Sequence, residues 1–355
     1  LNELLASLNH PELETEKVYQ PRIRAEDLLR EGTGQDTGDF REVAGQENAK
    51  RGAEIAAAGF HNLLMIGPPG VGKSMVAGRI PGILPPLTLK ESLEVTGIFS
   101  VAGLLPPGQA LITRRPFYAP HHTVTQAALI GGGSGIPRPG MVSLAHRGVL
   151  FLDELPEFRK NVLDGMRQPM EERKVQIARS AGMVTYPSDF ILVAAMNPCP
   201  CGYYPDRNKC RCTQPQIEKY LGKISGPILD RIDLCVELHP VDILHLQKTK
   251  TEKSSEDMKR QIRHARERQA ERFAGTDCRF NGDIRSAQVE EYCPLGEEGQ
   301  KVMEQLYRTL QLSARVYHRI LKTARTIADL EDREEITGEH LLEAACYRPS
   351  ETYWN

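Results

Sequence analysis

One stretch of the chain has the composition and spacing of a phosphate-binding loop. It follows the pattern Gly-x-x-x-x-Gly-Lys-Ser and consists of Gly67, Pro68, Pro69, Gly70, Val71, Gly72, Lys73 and Ser74. Backbone N–H groups of such a loop surround the β-phosphate, the lysine reaches the β- and γ-phosphate oxygens, and the serine holds Mg²⁺. A chance match is the alternative. The apolar run Asn62–Ile66 before the loop and the helix-compatible Met75–Ala77 after it favour the phosphate loop.

Polar residues with complementary roles follow two later apolar runs. Asp153 and Glu154 come directly after Gly148–Leu152, and Asn197 ends the run that begins at Phe190. Phosphoryl transfer needs an acidic residue in the Mg²⁺ shell and a base that orients and polarises the attacking water. Asp153 is suited to the metal shell, and Glu154 is suited to act on the water. Asn197 could hold the same water. The alternatives are two surface acids at a strand end and an ordinary turn asparagine.

The elements that position these residues define an α/β fold. The apolar runs are short and continuous rather than alternating, which is typical of buried parallel strands. After residue 245 the sequence becomes charged and helical in character. The candidate helices are Val43–Ala58, Met258–Phe273, Glu298–Leu312, Ala314–Leu330 and Glu339–Ala345.

Length and composition limit the class of protein. The 355 residues are 40% hydrophobic, which suffices for two packed units plus linkers. No stretch approaches the roughly 20 apolar residues of a membrane span, so the expected location is the cytoplasm. A net charge of -2 excludes a globally basic nucleic-acid coat but says nothing of a local basic patch. Because the chain starts at Leu1, it is expected to be part of a longer protein.

Four cysteines form a compact cluster that could hold a metal. They are Cys199, Cys201, Cys210 and Cys212, in the order C-x-C, eight residues, C-x-C. Four thiolates would satisfy tetrahedral Zn²⁺, although the spacing is tighter than the usual C-x₂-C knuckle. Reduced free thiols and a redox role are the alternatives. The remaining cysteines, expected to be buried apolar fillers, are Cys235, Cys278, Cys293 and Cys346.

Two further motifs complete an ordered set. Gly226–Asp233 contains Arg231, and Ser313-Ala314-Arg315 follows later. With the phosphate loop, the Asp-Glu pair and Asn197, this order resembles the AAA+ ATPases. Within them it is similar to the branch of magnesium chelatase I subunits and minichromosome maintenance helicases, and most of all to the magnesium-chelatase-like ComM/YifB family of bacteria. The resemblance covers about residues 41–350.

The resemblance implies roles for particular residues and a set of cofactors. Gly45 and Gln46 match the segment that borders the adenine, and Asn197 matches sensor 1. Arg231 matches the arginine finger and Arg315 matches sensor 2. ATP and Mg²⁺ are the implied cofactors. In such rings the finger reaches the γ-phosphate on the adjacent subunit, so a hexamer is expected.

The residues alone leave both arginine assignments open. A planar guanidinium suits the charged equatorial oxygens of the transition state. However, Asp230 and Asp233 flank Arg231, so a surface ion-pair cluster is the alternative. Arg319 and Arg325 stand on the same predicted helix as Arg315 and compete with it for the sensor 2 role.

The motifs suggest four segments along the chain. Residues 1–40 are a linker or the remnant of a missing N-terminal domain, and residues 41–245 are an AAA+ core with a helix-2 insertion, a hairpin and the cysteine cluster. Residues 246–275 form a linker helix, and residues 276–355 form a helical lid with sensor 2.

Two segments of the core offer contacts to DNA. Arg114 and Arg115 precede Phe117 and Tyr118 in a segment that resembles the helix-2 insertion, where they would supply phosphate contacts and stacking faces. A structural loop is the alternative. The sequence 173–186 predicts a β-hairpin that matches the pre-sensor-1 hairpin, with Lys174 and Arg179 as candidate phosphate contacts. A solvated hairpin is the competing interpretation.

Two other features are less specific. The basic residues between Lys259 and Arg272 are typical of a solvated helix face, with DNA contact as the alternative. The adjacent His121 and His122 suggest a metal only weakly, because neighbouring residues rarely converge on one ion, and polar loop residues are the preferred interpretation.

The function implied by the resemblance is a hexameric ATP-driven motor on DNA, with branch migration during uptake and recombination of foreign DNA. One alternative is a chelatase-type remodeller that acts on a protein partner. The other is a protease-associated unfoldase, because longer family members carry an upstream domain that resembles the Lon protease fold. No Ser-Lys or Ser-His-Asp arrangement is discernible in this sequence.

Overall fold

A computed structural model describes residues 38–133, 137–179, 182–241, 253–349 and 353. The sequence predictions for residues 1–37, Ser134 and Gly135, the turn at Ser180 and Ala181, and residues 246–252 fall outside these ranges.

The helices of the described residues are, in chain order, α1 (Glu47–Gly59), α2 (Lys73–Ile83), α3 (Leu89–Ala102), α4 (Gln126–Ile130), α5 (Met141–Leu144), α6 (Lys160–Gly165), α7 (Arg167–Glu172), α8 (Gln214–Leu221), α9 (Gly226–Leu229), α10 (Ser255–Arg272), α11 (Val289–Tyr292), α12 (Glu297–Thr309), α13 (Ala314–Leu330) and α14 (Gly338–Cys346).

The strands form one parallel sheet and two small antiparallel pairs. The parallel sheet contains β1 (Leu63–Ile66), β2 (Phe117–Tyr118), β5 (Val149–Leu152), β8 (Ile191–Met196) and β9 (Leu234–Glu237). The antiparallel pairs are β3 (Gly131–Gly132) with β4 (Arg138–Pro139), and β6 (Lys174–Arg179) with β7 (Gly182–Pro187). The second pair is the hairpin that the alternation around residues 173–186 predicts.

The strand order of the parallel sheet determines where a ligand can bind. The order is β2-β5-β8-β1-β9, and Leu63 of β1 is level with Val193 of β8 and Leu234 of β9. Every residue of β1, β5 and β8 is buried, as the continuous apolar runs predict. Since β8 and β9 lie on opposite sides of β1, the topological switch point is at β1, and ligands bind at the carboxyl ends of strands at such a point. The predicted α/β class is confirmed.

The C-terminal helices pack on the same side as α1. Their buried residues, such as Met258 and Ile320, belong to one apolar cluster with Ala53 and Ile55 of α1. All the predicted helices are present, with ends that differ by a few residues. The largest difference is at α1, which starts at Glu47 rather than at Val43. Gly45 and Gln46 both have a positive φ, which α-helical geometry does not allow.

The described residues contain no helix that is both long and apolar enough to span a bilayer.

Candidate functional site

The phosphate loop connects the carboxyl end of β1 to the first residue of α2. Gly70 and Gly72 have φ values of 80° and 95°, in the left-handed region that favours glycine. This turn lets α2 begin at Lys73. The free backbone N–H groups at the start of α2 therefore face the hollow of the loop, which is the arrangement that binds a phosphate.

Lys73 lies inside this hollow and connects it to the next strand. Its Nζ donates hydrogen bonds to the carbonyl oxygens of Gly67 (2.6 Å) and Pro68 (2.9 Å) and to Oδ1 of Asn197 (3.0 Å). Burial lowers the pKa of Lys73, and the carboxylates of Asp153 and Glu154 counter that shift only in part. The structure thus brings together the lysine and the asparagine that the sequence predicts to act on one γ-phosphate.

The predicted metal-binding oxygens are also adjacent. Ser74 Oγ donates to Asp153 Oδ2 over 2.9 Å, and the backbone N–H of Glu154 donates to Asp153 Oδ1 over 2.9 Å. A serine hydroxyl and a carboxylate are oxygen ligands of the kind that Mg²⁺ takes beside substrate phosphates. Glu154 is exposed and directly follows Asp153, just beyond the carboxyl end of β5.

Gln46 holds the loop from the side of α1. Its Nε2 donates to the carbonyl oxygens of Val71 (3.2 Å) and His239 (2.7 Å), so it joins the phosphate loop to the segment after β9. The position agrees with the predicted nucleotide-bordering role of Gly45 and Gln46, which remains a prediction.

The cysteine cluster has the dimensions of a tetrahedral zinc site. The Sγ atom of Cys199 lies 3.4 Å from Sγ of Cys201 and 3.8 Å from Sγ of Cys210. All four sulfur atoms lie within 4.8 Å of one another. Zn–S bonds of about 2.3 Å require sulfur atoms about 3.8 Å apart. The backbone N–H of Tyr204 approaches Cys199 Sγ at 3.4 Å, as an outer-shell donor would. The four residues present therefore fit zinc.

This cluster braces the phosphate loop directly. Gly202, between the two cysteine pairs, has a φ of 86°, and a Cβ there would lie 2.6 Å from Pro69 Cδ and 3.8 Å from the Asn197 amide carbon. Only glycine allows so close an approach. The chain between Cys201 and Cys210 thus packs against both the phosphate loop and the predicted sensor 1.

The two predicted arginines lie together at the opposite edge of the sheet. Asn62, which precedes β1, donates from Nδ2 to the carbonyl oxygen of Arg231 over 2.8 Å, whereas the phosphate loop follows β1. A four-residue strand separates these edges by about 13 Å. Arg315 pairs with Asp230 at 3.2 Å. The structure therefore does not bring Arg231 or Arg315 to the phosphate loop of their own chain.

A cavity of about 550 Å³ surrounds these arginines. Besides Arg231 and Arg315 it is lined by Arg285, Arg319 and Lys322. Burial and the charges of Arg315 and Arg167 lower the pKa of Arg231, although Glu171 forms an ion pair with it. Glu171, Asp230 and Asp233 also line the cavity, so its basic side chains outnumber its acidic ones and could hold an anionic group from outside the chain.

Several residues predicted to contact DNA have structural roles within the chain. Arg115 donates to the carbonyl oxygen of Arg147 at 2.7 Å and pairs with Glu91 at 3.3 Å. Phe117 and Tyr118 form β2 of the parallel sheet, where Phe117 stacks on Phe151. These three residues therefore belong to the framework, which agrees with the alternative of a structural loop, and their contact with nucleic acid remains an untested prediction. Arg114 remains exposed.

The basic residues of α10 are also largely engaged within the chain. Arg266 lies over the ring of Phe280 at 3.7 Å, Arg268 pairs with Asp332 at 2.6 Å, and Arg272 pairs with Asp329 at 2.5 Å. The hairpin differs, since Lys174 is exposed and Met183 is 67% exposed. The side chain of Arg179 lies outside the described residues.

Sequence reasoning did not predict one contact at the site. His122 Nδ1 lies 3.1 Å from Glu154 Oε2, while His121 Nδ1 is 2.9 Å from Thr123 Oγ1. The two imidazoles therefore face different partners, which agrees with polar loop residues rather than a shared metal. The contact could have been expected if β2 had been recognised as the parallel neighbour of β5. The segments that follow two parallel neighbouring strands, here those with His122 and Glu154, lie at the same edge of the sheet.

The fold and this site define the AAA+ class of P-loop proteins. A family model described as "Magnesium chelatase, subunit ChlI" matches residues 39–246, and one described as "Magnesium chelatase, subunit ChlI C-terminal" matches residues 252–348. The chain belongs to the magnesium-chelatase-like ComM/YifB family.

Relatives of similar sequence extend beyond the present chain. YifB of Salmonella typhimurium is 46% identical over 314 residues, which are 88% of this chain and 60% of the relative. YifB of Escherichia coli is 46% identical over 312 residues, 87% and 60% of the two chains. Competence protein ComM of Haemophilus influenzae is 43% identical over 322 residues, 89% and 61% of the two chains. The chain thus spans about 60% of the length of these curated relatives.

Proposed function

We propose that the chain is the ATP-hydrolysing part of a ring-forming AAA+ motor that acts on DNA. The observation that carries the proposal is the convergence of Lys73, Ser74, Asp153 and Asn197 at the carboxyl ends of three adjacent strands. Lys73 and the start of α2 bind the phosphates, Ser74 and Asp153 hold Mg²⁺, and Asn197 fixes the γ-phosphate and its water.

Glu154 is the base in this proposal. It is the exposed carboxylate next to the predicted metal ligand Asp153. A positioned carboxylate of this kind orients the water, while Mg²⁺ and the cations neutralise the charge that develops on the phosphate.

The position of Arg231 and Arg315 supports an active site shared between neighbours. Both lie about one strand length from their own phosphate loop, in a cavity rich in cations. An arginine is useful in phosphoryl transfer only within reach of the phosphate oxygens. A head-to-tail arrangement of subunits would place each pair on the nucleotide of the next chain, and a closed ring such as a hexamer satisfies every interface.

The exposed hairpin β6–β7 supports DNA as the substrate. It projects Lys174 and Met183 into solvent. A ring of such hairpins lining a central pore would present cations to a phosphate backbone. One relative is named a competence protein, which agrees with a role in the uptake or recombination of foreign DNA.

The first experiment measures ATP turnover with and without forked or four-way DNA, alongside the mass of the assembled protein. We expect DNA to stimulate turnover, and DNA affinity to fall steeply with salt because counterions are released. Stimulation by a protein partner alone would instead favour a chelatase-type remodeller. Degradation of casein would favour a protease-associated activity and contradict the proposal.

Replacement of the base tests the site itself. We expect Glu154→Gln to lower ATP turnover by about a hundredfold or more while ATP still binds, because the amide cannot accept the proton of the water. Glu157→Gln is the matched control, since Glu157 is an exposed acid in the same turn that pairs with Lys223 at 3.1 Å. Full turnover in Glu154→Gln would remove Glu154 from the mechanism.

We also propose a structural Zn²⁺ held by Cys199, Cys201, Cys210 and Cys212. The sulfur geometry supports it, and the packing of Gly202 on Pro69 gives it a role in the shape of the phosphate loop. When bound, the metal supplies cross-links rather than reactivity.

Elemental analysis tests the zinc site. We expect about one zinc per chain in the purified protein, and none after Cys210→Ser, whose lost thiolate also loosens the loop beside Pro69 and weakens ATP binding. Cys346→Ser is the control, because Cys346 is exposed on α14 and distant in sequence from the cluster. Absence of zinc from the purified wild-type protein would show that the four thiols do not form a structural zinc site.

A further inference from the structure

We propose that Asn62 is a positioning residue that holds Arg231 in place for the nucleotide of the next subunit. The inference rests on the proposed function, in which Arg231 completes the site of a neighbouring chain. It starts from the side chain of Asn62, which precedes β1 and lines the same cavity as Arg231. Its Nδ2 donates a hydrogen bond to the carbonyl oxygen of Arg231 over 2.8 Å.

The backbone of Asn62 joins β1 to β9, but its side chain is the part that reaches Arg231. The carbonyl oxygen of Asn62 accepts from the N–H groups of Asp233 (3.0 Å) and Leu234 (2.9 Å). Its own N–H donates to Asp233 Oδ2 over 3.0 Å. These contacts lie at the start of β9, whereas the carbonyl group of Arg231 precedes that strand. The amide of Asn62 therefore extends the attachment of the chain beyond the sheet, to the residue that matters for the neighbour.

Asparagine suits this position because its short side chain offers both a donor and an acceptor. Nδ2 donates to Arg231, while Oδ1 accepts from the N–H of Leu192 in β8 over 2.9 Å. A carbonyl oxygen can only accept and a backbone N–H can only donate, so these two partners determine which end of the amide faces which. The side chain thus ties the segment with Arg231 to both β1 and β8.

Arg231 lies in a turn whose shape is set by hydrogen bonds within the turn. The N–H of Arg231 donates to the carbonyl oxygen of Ile228 over 2.9 Å, and the N–H of Ile232 donates to that of Leu229 over 3.1 Å. Such local bonds fix the course of the backbone but not its place relative to the rest of the protein. The position of the turn is set by groups from outside it.

Two side chains from outside hold the peptide groups on either side of the Arg231 Cα atom. Arg319 of α13, which is 6% exposed, donates from Nη2 to the carbonyl oxygen of Asp230 over 3.0 Å. Asn62 holds the next carbonyl oxygen, that of Arg231 itself. Because these two planar groups border one Cα, restraint of both fixes the direction in which the arginine side chain leaves the backbone.

An arginine that acts across an interface depends on this direction. Its guanidinium lies at the end of a long side chain, so a small rotation of the backbone displaces the guanidinium considerably. A displacement of about 1 Å in an active site can lower a rate by about a hundredfold. The hydrogen bond from Asn62 to Arg231 is therefore expected to matter for turnover, although Asn62 does not touch a nucleotide.

Replacement of Asn62 by aspartate removes the donor and keeps the acceptor. Oδ1 still accepts from Leu192, but the second carboxylate oxygen repels the carbonyl oxygen of Arg231. We expect Asn62→Asp to lower turnover of the assembled protein by about ten- to hundredfold, with equilibrium binding of ATP unchanged. In an Arg231→Ala background the same change should cause no further loss. Asn161→Asp, at an exposed residue of α6, is the matched control and should keep wild-type turnover.

Mixed assemblies show on which site Asn62 acts. In a random equal mixture of Asn62→Asp and Glu154→Gln chains, about a quarter of the interfaces combine an intact Glu154 with a correctly held Arg231 of the next chain. Addition of the inactive Glu154→Gln chain should therefore raise turnover to about a quarter of the wild-type value. If Asn62 supported only its own chain, every intact Glu154 would lie in a damaged chain, and mixing would leave about half the turnover of Asn62→Asp.

A second variant and two outcomes complete the test. Asn62→Ala removes both side-chain hydrogen bonds without adding a charge, and the same rescue by mixing is expected for it. Wild-type turnover in both Asn62 variants, or the absence of rescue, overturns the positioning role and leaves the shared site intact, provided that Arg231→Ala is inactive. Full turnover of assembled Arg231→Ala contradicts the shared site itself.

Discussion

Replacing Arg231 with alanine is expected to lower ATP turnover of the assembled protein by about a thousandfold. An arginine that reaches the transferred phosphate stabilises the charge on its equatorial oxygens, and loss of such a residue costs about 10³ or more in kcat. ATP affinity should change far less, because the phosphate loop, Lys73 and Ser74 remain. Turnover and equilibrium binding of ATP, measured on the same preparation, check the two parts of this expectation.

Mixing two inactive variants shows in which chain Arg231 acts. Arg231→Ala keeps its own Glu154, and Glu154→Gln keeps its own Arg231. If each site combines Glu154 of one chain with Arg231 of the next, about a quarter of the interfaces in a random equal mixture are complete. Mixing should therefore restore up to about a quarter of wild-type turnover. If Arg231 served its own nucleotide, mixing would restore none.

Two controls accompany this experiment. A chain with both substitutions should not rescue Arg231→Ala, since it supplies no active arginine. Arg308→Ala removes an exposed arginine that pairs with Glu304 at 3.7 Å and should retain wild-type turnover. Wild-type turnover in assembled Arg231→Ala would mean that Asp230, Arg231 and Glu171 are only a surface ion-pair cluster.

The elements around the phosphate loop could be predicted because their sequence signals are local. β1, β5 and β8 are continuous apolar runs that end directly in the loop, in Asp153 and in Asn197. Parallel strands align their carboxyl ends, so the residues that follow them meet without further information. The contacts of Lys73 with Asn197 and of Ser74 with Asp153 are the consequence.

Features that depend on packing over long sequence separations were not predictable in the same way. Arg115, Phe117 and Tyr118 have the residue types of a nucleic-acid contact, but β2 contains only two residues and gives no apolar run. Without recognition of β2, neither its place beside β5 nor the approach of His122 to Glu154 follows. Likewise, the sequence near Arg231 shows only an arginine with acidic neighbours. The three-dimensional structure is needed to show that Arg231 lies near the start of β1, at the edge of the sheet opposite the phosphate loop.

The C-terminal helices depend on a buried charge whose loss should be strongly destabilising. Asp329 of α13 has no exposed surface. It accepts hydrogen bonds from Arg272 at 2.5 and 2.8 Å and from Asn281 at 2.8 Å, and Arg325 lies 3.2 Å away. This single carboxylate therefore joins α13 to α10 and to the turn at Asn281, and α13 also carries Arg315.

We expect Asp329→Ala to lower the free energy of unfolding by about 3 to 5 kcal/mol, because it leaves the buried Arg325 and the partly buried Arg272 without their common counter-ion. The midpoint of thermal unfolding should fall by on the order of 10 °C. Asp329→Asn keeps the shape and one acceptor, so its loss should be smaller. Glu304→Ala removes an exposed partner of Arg308 and should cost less than about 0.5 kcal/mol. If Asp329→Ala unfolded at the same temperature as this control, the arginines would have to be neutralised by other groups, and the position of the helix that carries Arg315 would not depend on this carboxylate.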